Sequence, residues 1–161
     1  MKKLKLKTWK KVKSNNFKSI SQCIKVLKKK NIILSPWIEN IYLNKKNNII
    51  LTRKSYNLYK IKVSKLGFKK ATKLKDIYKL IIRNKYKLVP PEVALRARLL
   101  YLEQKKGEWL RFATPFNSMI DTDNVPHLPK FGRALGYYFI ETYWSYPGAI
   151  FHPHNEFVVT N

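Results

Sequence analysis

Residues 1–90 carry 27 lysines and arginines against only two carboxylates, Glu39 and Asp76, while residues 91–161 carry seven of each sign. The net charge of +25 therefore belongs entirely to the first half. A segment so one-sided repels itself unless something polyanionic lies against it. The chain still has the means to fold, because 45% of its 161 residues are hydrophobic and 14% are aromatic, enough for one core of useful size. The partner this charge suggests is a nucleic acid backbone, or less often an anionic membrane surface. Base composition offers a competing account, since Lys, Asn and Ile rise together in an AT-rich genome. Glu codons are also fairly AT-rich, however, so that bias alone does not remove carboxylates.

Read in order, residues 1–13 alternate lysine with Leu4, Leu6, Thr8 and Val12, a pattern for an edge strand or a basic arm. Ile20, Cys23, Ile24 and Leu27 then fall at helical spacing, with Ser19 and Gln22 as a capping box. Ser35 and Pro36 open a second helix. These two helices read as cover for a sheet, because the second is short and offers no arginine to a DNA groove. Strands are expected over 49–53 and 58–63, and a third helix over 73–84 capped by Thr72. That helix buries Leu74, Ile77, Tyr78 and Ile81 and presents Lys75, Lys79 and Arg83 as a basic ridge.

Pro90 and Pro91 stop the helical half, and the composition changes there. Alternation of Ala97, Leu99 and Tyr101 with Arg96 and Arg98 predicts a strand over 96–102. A second over 109–113 would complete a hairpin through Gln104–Gly107. Further strands are expected over 134–143 and 157–160, separated from the first two by a turn at 121–126. The expected fold is α+β, a basic helical half over 1–89 with short strands, packed in one compact unit with a neutral antiparallel sheet over 90–161. One cysteine, Cys23, excludes an internal disulfide and a cysteine-based zinc site. No signal peptide and no apolar run of membrane-spanning length is visible, so a cytoplasmic protein without a membrane partner is expected.

The chain resembles an uncharacterised family of small bacterial proteins. The likeness lies in residues 8–13, 35–43, 63–68 and 71–78. It is strongest in Pro91, Glu92 and Val93, the run Leu95, Arg96, Ala97, Arg98, Leu99, Leu100 and Tyr101, then Gln104 and Gly107 to Leu110. It implies a shared fold and no activity. The family pattern is less basic in its first half and has a glycine near Asp121 where this chain has Asn124. That departure points away from polyanion binding as a family-wide role and toward one particular to this chain.

Candidate nucleic-acid contacts are Lys54, Lys60, Lys62, Lys75, Lys79, Arg83, Lys85 and Lys87, with Tyr56 and Tyr86 as rings that could stack on bases. Arginine is scarce in the basic half, so backbone contact with little sequence preference is expected, to RNA rather than DNA. The alternative is a protein-docking module built on Trp109, Trp144, Tyr137 and Tyr138. A metal-dependent hydrolase using Asp121, Asp123, His152 and His154 needs two loops to converge. Glu103 and Glu108 read as solvated partners of Lys105 and Lys106 rather than acid–base carboxylates. No phosphate-cradling glycine loop or hydrolase motif occurs. No catalytic residue, metal site or cofactor is expected.

Overall fold

The computed structural model describes residues 4–161. Its elements in order are β1 (Thr8–Val12), α1 (Ile20–Lys29), β2 (Ile32–Leu34), α2 (Pro36–Leu43), β3 (Tyr56–Lys62), β4 (Thr72–Lys73) and α3 (Leu74–Arg83). There follow α4 (Pro91–Leu100), β5 (Leu110–Phe112), β6 (His127–Ala134), β7 (Tyr137–Trp144), β8 (Ile150–Phe151) and β9 (Glu156–Thr160). The fold is α+β. Seven strands form one mixed sheet in the order β1-β3-β9-β5-β6-β7-β2, and β4 with β8 makes a two-stranded ribbon beside it.

Strands from both halves of the chain are interleaved in this sheet. Basic β3 pairs with C-terminal β9, and β2 runs parallel to β7. Basic β3 lies between β1, itself basic, and C-terminal β9, so the basic residues do not form a separate unit. The sheet is also not purely antiparallel, since β5 runs parallel to β9 as β2 does to β7.

Side chains alternate between the two faces of the sheet, as the pleat requires. Leu58, Leu110, Phe112, Phe131, Ile140 and Val158 join the buried faces of α1, α2 and α4 on one side. Tyr59, Ile61, Leu128, Phe157 and Val159 meet Leu74, Ile77, Tyr78 and Ile81 of α3 on the other. Two of the three helix caps read from sequence form as expected: Ser19 accepts from the Gln22 amide, and Ser35 from that of Ile38. Thr72 does not cap α3, because it is paired in β4 and the cap position falls on Lys73, which makes no side-chain cap hydrogen bond.

The expected strand over 96–102 is instead helix α4. Pro91 occupies its first turn with Glu92, both ordinary helix-start features. The period-two reading failed because Arg96 and Arg98 are themselves buried, so polar residues did not mark an exposed face. The predicted hairpin disappears with that strand, and β5 pairs with β6 and β9. Residues 49–53 form no strand. The run 134–143 is broken by a two-residue turn, Leu135 (φ +50°) and Gly136 (φ +79°), that joins β6 to β7.

Candidate nucleic-acid interface

The helix α3 turns its apolar stripe into the core and leaves Lys75, Lys79 and Arg83 exposed along its outer side. Their spacing of four residues sets them about 6 Å apart along the axis. Lys65, Lys69, Lys70 and Lys73, which lead into this helix, are exposed as well. Among the described residues none of these seven cations forms an ion pair; in residues 4–90 only Lys10, Lys28 and Lys60 do. The other unpaired cations do not all join this face, because Lys25 and Lys29 belong to α1 and Lys30 caps it, on the other side of the sheet.

The ten candidate residues therefore separate into groups. Lys62, Lys85 and Lys87 are exposed and unpaired near the β3–β9 side, where the Lys87 amide and carbonyl bridge to Thr160. Lys54 is exposed, and its carbonyl is held by the Arg96 guanidinium. Lys60 is tied down. Its ammonium lies 2.7 Å from Glu108 Oε1 and 5.5 Å from the centre of the Trp9 ring. Tyr56 donates to or accepts from Thr52 Oγ1 at 3.0 Å with its ring beneath Arg96. Tyr86 packs edge-on against Tyr59 and accepts from the Leu6 amide at 2.9 Å. Both tyrosines are half-buried in structural contacts.

Pattern reading missed a pair of buried arginine anchors in α4. Arg96 donates to both oxygens of Glu92 (2.8 and 3.1 Å) and to the carbonyls of Lys13 and Lys54. Glu92 accepts in turn from the Thr52 hydroxyl at 2.6 Å. This i,i+4 pair thereby fastens β1 and the 52–54 segment to the helix. Arg98 is fully buried, with its guanidinium 4.5 Å from the centre of the Phe131 ring and 4.9 Å from that of Tyr138. It donates to Gln104 Oε1 at 2.6 Å and to the Tyr101 carbonyl, so it holds the loop after α4. Burial pulls its pKa down to about 10, which leaves it charged at neutral pH. The Glu92–Arg96 spacing was the available signal.

The hydrolase residues do not converge. Among the described residues no three His, Cys, Asp or Glu side chains are placed to hold a metal ion. His152 and His154 stack on each other in an exposed loop, and Asp123 is exposed. Asp121 is instead buried against His127, Oδ2 to Nε2 at 2.7 Å, while its Oδ1 accepts from the Asp123 and Val125 amides. Burial alone would raise its pKa. The Val125 and Asp123 amides together with the imidazole outweigh that and hold the carboxyl below the usual aspartate range. Asn124 closes this turn at φ +63°, a conformation open to glycine and asparagine, so the two residue types are interchangeable there. Glu103 and Glu108 do not pair with Lys105 and Lys106 as expected: the sheet brings Lys10 to Glu103 and Lys60 to Glu108, whose side chain is only 19% exposed.

No family model, curated protein or solved structure matches the chain. No helix among the described residues is long and apolar enough to cross a membrane.

Proposed function

We propose that this chain is a non-enzymatic nucleic-acid-binding protein that lies along the phosphate backbone of RNA with little sequence preference. The observation that carries this reading is the outer side of α3, where Lys75, Lys79 and Arg83 stand exposed with no carboxylate partner. Lysines are strongly hydrated point charges suited to phosphates and poorly suited to bidentate reading of bases. The paired lysines, Lys10 and Lys60, brace the fold and lie outside the contact set.

The test is a salt titration of binding to an RNA hairpin. The triple variant K75E/K79E/R83E is expected to bind at least ten-fold more weakly, with the slope of log K against log salt reduced by about 2–3. Unchanged affinity and slope would remove α3 from the interface. A protein-docking role draws on the exposed aromatics Tyr137 (49%) and Trp144 (55%). Tight, salt-insensitive capture of a protein partner that is lost in W144A would favour it instead.

A further inference from the structure

The register of the sheet sets out two rows of side chains on the side that α3 occupies. Leu110 faces Phe131 and Arg111 faces Lys130, so Trp109 stands opposite Gly132. Gly132 faces Phe139, which faces Ile33. Trp109, Gly132, Phe139 and Ile33 thus form one row across four strands, about 14 Å long at the usual strand spacing. The next row is Arg111, Lys130 and Glu141. Beyond it, Leu128 and Tyr143 enter the core under α3.

The first row is open to solvent. Trp109 is 36% and Ile33 39% exposed, and Phe139 is half-buried. Gly132 is a seat for the indole: a Cβ there would lie 2.1 Å from Trp109 Cζ3, so any side chain would displace the ring. The second row holds two cations and one carboxylate and is more enclosed, with the Lys130 side chain 16% exposed. Lys130 sits 4.5 Å from the centre of the Trp109 ring and 3.8 Å from Glu141. Among the described residues Arg111 has no carboxylate partner, its Nε makes no hydrogen bond, and its guanidinium lies between Tyr143 and Phe151.

We infer that this part of the sheet takes single-stranded RNA, with bases against Trp109 and the open apolar row and phosphates at the edge of the second row, at Lys130 and Arg111. Three features support the occupant. A row of apolar and aromatic side chains beside a row with net positive charge complements a strand of unpaired bases on a phosphate backbone. A duplex keeps its base faces stacked internally and could use the cations alone. The site also shares its side of the sheet with α3 and its exposed cations. The inference rests on the nucleic-acid reading above and adds a preference for unpaired bases.

The experiment compares a fluorescent twelve-residue oligo-uridylate with an RNA duplex of equal length by anisotropy. W109A is expected to weaken oligo-uridylate binding by about 5- to 150-fold while changing duplex binding less than two-fold, and W109F to restore most of the loss. Arg111→Gln and Lys130→Gln leave the indole in place. Each is expected to weaken the single strand and lower its salt slope by about 0.7, which tests the site even if W109A does not fold. Single-strand affinity unchanged in all three would overturn the inference. If only K75E/K79E/R83E weakened binding, the backbone reading would stand without it. Absence of binding to either RNA would end both.

Discussion

Replacing Glu92 with alanine strips the buried guanidinium of Arg96 of its only carboxylate. The pair is 1% and 3% exposed, so water cannot take over, and Thr52 loses its acceptor in the same step. Arg96 would keep the Lys13 and Lys54 carbonyls, which carry no formal charge. Breaking a buried pair from one side costs about 3–5 kcal/mol. With a slope of roughly 2 kcal/mol per M, the urea midpoint falls by about 1.5–2.5 M. The double variant E92L/R96M removes both charges and keeps the volume. It is expected to lose only about 1–2 kcal/mol, the residual cost of two carbonyls left without a donor and of Thr52 left without its carboxylate acceptor. Equilibrium urea unfolding followed by circular dichroism measures all of these. A loss below about 1 kcal/mol in E92A, or a double variant no better than E92A, would refute the account of this pair as an anchor.

Leu135 is 90% exposed at φ +50°, so Leu135→Asn should raise the melting temperature by about 2–4 °C through relief of left-handed strain; no gain would mean the turn relaxes. Cys23 is fully buried, and burial, reinforced by Glu92 and partly offset by Arg96, pushes its thiol up to about 12. It should react with a disulfide reagent at pH 8 only as fast as the protein unfolds, and prompt stoichiometric labelling would contradict that. The depressed Asp121 carboxyl contributes stability that is complete above the ordinary aspartate value of 3.8 and is lost as pH falls through its lower folded value. Asp121→Asn should therefore flatten the acid limb of the stability profile below about pH 4, and an unchanged limb would assign that limb to other carboxylates.

Elements with one wet face were legible in the residue pattern. The helices α1 and α3 and the strand β3 alternate apolar and cationic residues at the period of their own geometry, and each formed close to where that period places it. α4 was illegible for the opposite reason. Pro91 to Arg98 are all buried, so no face stays polar and the arginines imitate a strand's alternation. The turn at Leu135 was hidden because leucine carries no turn preference, and only the pairing of β6 with β7 imposes it. Of the candidate contacts, the α3 ridge was readable from its spacing, whereas the pairing of Lys60 with Glu108 joins residues far apart in the chain.

Composition alone determined that the first ninety residues carry all the excess charge and that a single core could form. Tertiary structure decided which ammonium groups meet a carboxylate, which arginines turn inward, and that Trp109 and Arg111 share a side of the sheet with α3. Local periodicity reports only whether a side chain faces water. The neighbour it meets is set by strand order and register, which bring distant segments together.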